Sequence, residues 1–495
     1  MHMRLGAQRF DFLFQRVSPA SLGLLRIAFG VLMTWQFPYM REYMVDIMAN
    51  SKFFITYDYL HWIKPTSPEN MAQILQVGMV GAIFVLLGLF HRAASALVLG
   101  LWLYVFLVCR GHYTNHYYLF GLVGFWLMVS DANRWGSLDR LIYKYVPWTR
   151  GWILGFGGDV DTVPYWQVLA FKVQLFVVYF YGGIAKISVD WLSGYPMRIW
   201  LPNKPWLPSI MHEVWFAVWM SWSGMLFDLL IGFVLLSRYR KWALPFVIFF
   251  HVSNEFIFRT IGGFPHFMLA ATLIFFDPAW PADALAWLKR NLIKPTPPAP
   301  ATKGKSKART AATADAPPAS QPVKAIARPV VLTFFALFWS WQFLYPLRHY
   351  LYPGDPSITG EGGVFAWRMM LTARDYGAKF KVVVNGETFY ITGESLFHYM
   401  NFRQFTRLCR SPKSFQRFAY YIRDEMRKTD PTLDPEIYGY LIVQYNARNY
   451  AHVIDTTVNL VGVPYNHVVH TDWLRTEDFE EPAGSRYQTE SPIRD

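Results

Sequence analysis

Residues 164–187 read PYWQVLAFKVQLFVVYFYGGIAKI, and this stretch decides what kind of molecule the chain is. It is a mainly apolar run of about the ~20 residues that a helix needs to cross a bilayer. Runs of the same kind recur at 19–40, 73–90, 93–108, 117–130, 215–236, 242–258 and 265–280, with a further one at 329–347. The fourth and eighth runs in chain order are short for a span, which tilt or burial by neighbours accommodates. Composition agrees: of 495 residues, 53% are hydrophobic, 18% aromatic and 16% charged, against roughly 25% charged in an average soluble domain. A soluble globular enzyme is therefore a poor reading. The net charge of +13 fits nucleic acid or an anionic lipid surface in principle, but the basic residues lie between apolar runs, so membrane is the better reading and no nucleic-acid partner is expected. Two cysteines exclude a disulfide-stapled scaffold, a CxxC zinc site and a thiolate-held iron–sulfur cluster. The first 16 residues lack the apolar core and cleavage site of a signal peptide, so the first run is expected to stay as a membrane helix.

The expected fold is a polytopic α-helical membrane protein of about nine transmembrane helices, with a C-terminal extramembrane α+β or β-rich domain. An eight-helix membrane domain takes 1–290, a flexible Pro/Ala/Lys-rich cytoplasmic linker 291–328, the ninth helix 329–350, and the outer-side domain 351–495. Residues 294–328 carry no aromatic side chain and cannot bury enough apolar surface to offset chain entropy. In the last part, Phe380, Val382 and Val384 alternate up to Asn385-Gly386 and the pattern resumes at 388–392, which reads as a β-hairpin. Phe415, Phe418, Ala419, Ile422 and Met426 recur at helical spacing over 414–428. Further strands are expected at 438–445 and 452–460.

Loop charge sets the orientation. With the N-terminus cytoplasmic, loops 1–18, 91–92, 131–163, 237–241 and 281–328 hold 20 Lys and Arg, against 7 in loops 41–72, 109–116, 187–214 and 259–264. Positive charge is retained on the cytoplasmic side. The chain therefore reads as a multi-pass membrane protein with N-terminus and linker cytoplasmic and the C-terminal domain outside, periplasmic if the membrane is a bacterial inner membrane. Asn115-His116, Lys186 and the His251–Asn254 region all fall toward the outer leaflet, on the side of that domain.

Lys186 closes a stretch with Gly182-Gly183, where the backbone allows close approach. A lysine at a helix end either snorkels to the headgroups or sits in a low-dielectric pocket, where burial disfavours the ammonium and readies the amine as a general base. Asn115 and His116 lie in the aromatic run 112–118, which reads as an interfacial belt or as donors and acceptors able to hold a ring oxygen or developing anion. His251 stands inside an apolar helix, facing either a structural partner or a polar interior. His112, His116 and His251 lack a compact ligand spacing, so no metal is expected.

Several separated motifs resemble the vitamin K-dependent γ-glutamyl carboxylase family, in order over about 18–460. They are Thr114-Asn115-His116-Tyr117-Tyr118-Leu119, Asp131-Ala132-Asn133, Val178-Tyr179-Phe180 leading to Gly183-Ile184-Ala185-Lys186, Asp190-Trp191-Leu192-Ser193-Gly194-Tyr195, Phe250-His251 with Asn254, and Trp367-Arg368-Met369-Met370. The resemblance implies an enzyme that uses reduced vitamin K, as hydroquinone or menaquinol, with O2 and CO2. A lysine deprotonates the hydroquinone, oxygenation creates a base strong enough to take a glutamate γ-proton, CO2 adds to the carbanion, and the quinone leaves as its epoxide. Lys186, Asn115, His116 and His251 match the family's catalytic positions, and Tyr179, Trp367, Met369 and Met370 its quinone region. The implied partners are the lipid bilayer, the quinone and a glutamate-containing protein or peptide. The chain departs from the animal members at Ala185, at Arg368 where they carry an acidic residue, and at Thr372 where they carry a histidine; it also ends at Asp495, without their long C-terminal extension. Two other readings stand beside this one: a quinone epoxidase acting on a different substrate without protein carboxylation, and a non-enzymatic membrane scaffold.

Overall fold

The computed structural model describes residues 10–146, 161–259, 261–292 and 328–479. Helices fall on each of the apolar runs: α1 Ala20–Asn50, α2 Pro68–Leu87, α3 His91–Leu107, α4 Asn115–Val129, α5 Tyr165–Ile184, α6 Val214–Leu236, α7 Arg240–Ile257, α8 Phe264–Thr272 and α9 Arg328–Leu344. Five are long and apolar enough to cross a membrane, namely α1, α2, α5, α6 and the helical segment 328–351 that α9 begins. The others are shorter or more polar: α3 has 17 residues, α4 15, α7 18 with Pro245 inside it, and α8 9. The interior of 291–328, read as a linker, lies outside the described residues.

The first helix is longer than its apolar run. At about 1.5 Å per residue, 31 residues give roughly 46 Å, well beyond a hydrocarbon core of about 30 Å. The excess is used: at its end the C-terminal domain takes hold. Lys52 and Phe53 donate backbone N–H groups to the Tyr399 carbonyl at 2.8 and 2.9 Å, and Asn401 Nδ2 donates to Asp46 Oδ2 at 3.2 Å. Small residues let the helices approach, as membrane packing requires. A Cβ on Gly30 would stand 2.5 Å from the Leu86 backbone, and one on Gly78 2.5 Å from the Phe37 ring.

At the opposite end of the bundle, the Asp131-Ala132-Asn133 motif is structural. Asp131 pairs with Arg92 at 2.6 Å and Arg134 at 2.8 Å, while buried Arg26 donates to the carbonyls of Val85, Leu86 and Gly136. Asp139 accepts from the backbone N–H groups of Phe90 and His91 at 2.8 and 3.0 Å. Apart from the partly exposed Arg92 these charged side chains are buried, and each is paired or hydrogen-bonded, which is the condition for tolerating them there.

The C-terminal domain is an antiparallel sheet with a helix against it. Its strands are β1 Arg374–Val384, β2 Glu387–Thr392, β3 Glu436–Tyr445 and β4 Ala451–His452, in the order β2-β1-β3-β4. The hairpin turns at Asn385 and Gly386, whose φ values of +52° and +81° are those that an Asn-Gly turn permits. Helix α10 Pro412–Thr429 lays Phe415 and Phe418 on the sheet, the Phe415 and Phe380 rings stacking at 4.0 Å. The strand expected at 452–460 is only the two residues Ala451–His452, followed by isolated bridges at Asn459 and Ile454. Its apolar residues Val453, Ile454 and Leu460 are buried as irregular chain instead, so apolar character there reflected burial rather than strand pairing.

Candidate functional site

The first turn of α4, the C-terminal end of α5, the middle of α6, α7, and the segment just before β1 converge on one cavity of about 1080 Å³. Asn115, His116, Tyr179, Lys186, His251, Met369 and Met370 all line it. Residues expected from separate runs thus share one chamber. Trp367 does not line it: the side chain is fully buried behind the wall, its ring 5.0 Å from that of Tyr118.

Lys186 is buried, and its ammonium end meets a partner that sequence reasoning missed. Nζ donates to Asp228 Oδ2 of α6, with both side chains under one-tenth exposed. The indole of Trp191 lies on another side of the amine, its centroid 5.3 Å from Nζ. Asp228 had a signal: it is the one acidic residue in the apolar helix Val214–Leu236, and an ionisable group inside a span is functional by default. The glycines make the meeting possible. A Cβ on Gly183 would fall 2.5 Å from the Leu229 backbone nitrogen, so α5 and α6 touch backbone to backbone here. A Cβ on Gly182 would stand 3.3 Å from both Asp228 Oδ2 and Met369 Cε.

Two helical turns before the lysine, the Tyr179 hydroxyl is hydrogen-bonded to His251 Nε2 at 2.8 Å, and both side chains are buried. This answers what His251 does inside an apolar helix: it and Tyr179 satisfy each other. His116 packs its ring against Phe264 and Phe120 at 5.7 and 5.9 Å and makes no hydrogen bond to the described residues, which leaves its ring nitrogens to the cavity.

Asn115 is committed elsewhere. Its Oδ1 accepts from the Tyr113 hydroxyl at 2.7 Å and its Nδ2 donates to the Arg368 carbonyl at 2.9 Å, while Phe365 N–H donates to the same tyrosine oxygen at 2.7 Å. These bonds hold a strained segment. Phe365, Trp367 and Met370 have φ of +61°, +57° and +53°, conformations that non-glycine residues adopt at a cost of order 1 kcal/mol or more each. Two of the departures from the animal pattern, Arg368 and Thr372, sit on this wall. Arg368 is held by Asp355 at 3.2 Å and Ser357 at 2.7 Å, and Thr372 Oγ1 accepts from Arg374 Nε at 3.1 Å.

Asp190, four residues after the lysine, reaches the C-terminal domain. It takes a two-pronged pair from Arg448 at 2.7 and 2.8 Å and a hydrogen bond from Asn446 Nδ2 at 2.8 Å. Cys109 and Cys409 are both free and buried.

A chamber walled by helices, with a buried lysine–aspartate pair and a C-terminal sheet domain contributing to its lining, defines a class of membrane protein. Residues 14–280 match the HTTM domain, and residues 327–479 match the family described as vitamin K-dependent gamma-carboxylase, lumenal domain. The chain is a multi-pass membrane protein and belongs to the vitamin K-dependent gamma-carboxylase family. No solved structure matches it.

The residues present suit the quinone which that family implies. Sixteen phenylalanine, tryptophan and methionine side chains line the cavity, and exposed Trp219, Phe246 and Phe249 carry the lining out to the outer surface of α6 and α7. An apolar chamber with a few convergent polar groups and a lateral apolar exit fits an aromatic head with an isoprenoid tail.

Proposed function

We propose that this chain is a γ-carboxylase-type enzyme that couples oxygenation of reduced vitamin K, with O2, to addition of CO2 at the γ-carbon of a glutamate residue. The observation that carries the reading is the buried Lys186–Asp228 pair on the wall of a largely apolar cavity. When bound, the reduced quinone supplies, through its reaction with oxygen, a base far stronger than any side chain. The protein's own work is with protons and water. Lys186 Nζ accepts the proton of a quinol hydroxyl, and Asp228 Oδ2 is the atom to which that amine passes a proton beforehand. His116 holds a ring oxygen, Tyr179 and His251 keep the α5–α7 wall in place, Met369 and Met370 form the quinone wall with Trp367 behind them, and Asn115 fixes that wall's segment. Burial excludes water, which would quench a strong base.

The proposal includes the nine-span topology, the division into 1–290, 291–328, 329–350 and 351–495, the cytoplasmic N-terminus and the outward C-terminal domain. Incubating purified protein with reduced vitamin K, labelled bicarbonate and a glutamate peptide is expected to give fixed label and quinone epoxide, both lost in Lys186→Ala. Epoxide without label would instead favour a different acceptor substrate, and neither product would end the reading.

A further inference from the structure

Helix α5 carries a second lysine, Lys172, which does not line the cavity. It is only 4% exposed within an apolar helix, a setting in which an ionisable side chain needs a partner or a function. Its amine reaches back toward the start of the helix, as long cationic side chains do. Nζ stands 3.4 Å from the Tyr165 hydroxyl and 5.3 Å from the centre of that ring. An ammonium has three protons to donate, and one long bond satisfies little of that capacity. Among the described residues, no carboxylate lies within ion-pair distance of it.

Three elements meet around this amine, at the end of the bundle where the Asp131 network lies. Gln167 fixes α5 there: its Nε2 donates to Asp131 Oδ2 at 3.1 Å, and its Oε1 accepts from the Asp131 N–H at 2.9 Å. Arg240, at the start of α7, joins the α6–α7 turn to the chain after α8 by donating to the carbonyls of Ser237 at 3.1 Å and Phe275 at 2.9 Å. Those bonds use Nε and Nη1, and Nη2 makes none to the described residues. The Arg240 charge bears on both Lys172 and Tyr165. Arg238 and Lys241 add two exposed cations on the same turn, again without an ion-paired carboxylate among the described residues. The acidic side chain that bears on Lys172 is Asp277, which is exposed and whose Oδ1 already accepts from the Ala279 N–H at 2.8 Å. Other cations at this end are treated differently: Arg92 and Arg134 have Asp131, and Arg26 is occupied by carbonyls. Around Lys172 the positive charge is left in excess, and an anion from outside the chain would settle it.

The surroundings say which anion. Tyr239 and Trp242 flank the turn and are exposed, as aromatic side chains are where helices meet lipid headgroups. Basic pockets between helix ends at that depth take phosphorylated headgroups, and lysine suits phosphate as a compact point charge. We propose that Lys172, Tyr165 and Arg240, with Arg238 and Lys241 at the rim, form a binding site for the phosphate of an anionic phospholipid, at the end of the bundle opposite the C-terminal domain. The phosphate takes the open donors of Lys172 and Arg240 and so ties α5 to the α6–α7 turn. None of the five residues lines the cavity, so the site stands apart from the carboxylase reading.

Native mass spectrometry of the full-length protein in dodecyl maltoside, with dioleoyl phosphatidylglycerol or dioleoyl phosphatidylcholine added, tests the site. Phosphatidylglycerol is expected to bind about tenfold or more tightly than phosphatidylcholine, whose choline offsets the phosphate charge. Lys172→Met, close in volume, and Arg240→Gln are each expected to weaken phosphatidylglycerol about tenfold and to leave phosphatidylcholine unmoved. The control Lys289→Gln, an exposed cation on the helix Trp280–Leu292, is expected to change neither. In the unmodified protein, phosphatidylglycerol is expected to raise the unfolding temperature more than an equal amount of phosphatidylcholine, a readout that needs no variant to fold. Equal binding of the two lipids, an unchanged preference in both variants, or an equal loss in the control overturns the site. Displacement of phosphatidylglycerol by inorganic phosphate at the same concentration would mean a small-anion site only, which also overturns the lipid assignment.

Discussion

Lys186 and Asp228 depend on each other more than either depends on the fold around it. Removing one partner of a buried ion pair leaves an uncompensated charge and costs about 3–5 kcal/mol. Lys186→Ala and Asp228→Ala are each expected to destabilise the detergent-solubilised protein by about 3 kcal/mol, and the double variant by clearly less than the sum, as thermal unfolding would measure. Additive losses would mean that the pair does not couple. Asp228→Asn, close in shape, is expected to lower quinone turnover at least tenfold while keeping the fold; near-normal turnover would remove Asp228 from the chemistry. The cysteines offer a second check at this scale. Burial raises both the Cys109 and the Cys409 thiol above the ordinary range, so little thiolate forms at neutral pH. Both are expected to resist maleimide in the folded protein and to label on denaturation without prior reduction.

Among the elements, the α5–α6 contact sets the geometry of the site. Gly183→Ala drives a methyl group into the Leu229 backbone at 2.5 Å, which only separation of the helices relieves. A loss of about 1–3 kcal/mol is expected from such overpacking, with a fall in turnover larger than that of the control Gly224→Ala, whose nearest neighbour is Trp191 at 4.0 Å. Equal effects would show that close approach is not what brings the lysine to its partner. Helix positions were legible in the sequence because twenty apolar residues in a row have few other uses. Helix ends were less so: α1 runs on to Asn50 because the C-terminal domain grips its final turns, and a partner distant in sequence leaves no mark on local hydropathy.

For the whole molecule, the docking of the C-terminal domain matters most. The Asp190–Arg448 pair ties the loop after the lysine to the end of β3, and both side chains are nearly buried. Arg448→Gln is expected to cost about 2 kcal/mol and to open the junction to limited proteolysis; an unchanged digestion pattern would mean that other contacts hold the domain. The orientation yields a second prediction. Val469→Cys, on an exposed part of the C-terminal domain, should react with an impermeant maleimide on intact cells, whereas Leu292→Cys should react only after lysis. The reverse pattern would invert the topology.

Membrane character, the run of helices, the hairpin at Asn385-Gly386 and a handful of the cavity's residues, among them Lys186, His116 and His251, could be read from the chain, because hydropathy, turn chemistry and motif order are local properties. Asp228 at Lys186, Arg448 at Asp190 and the withdrawal of Trp367 behind the wall were decided only by tertiary structure. Each joins residues far apart in sequence, and electrostatic pairing and burial depend on distance in space, which no pattern along a single chain encodes.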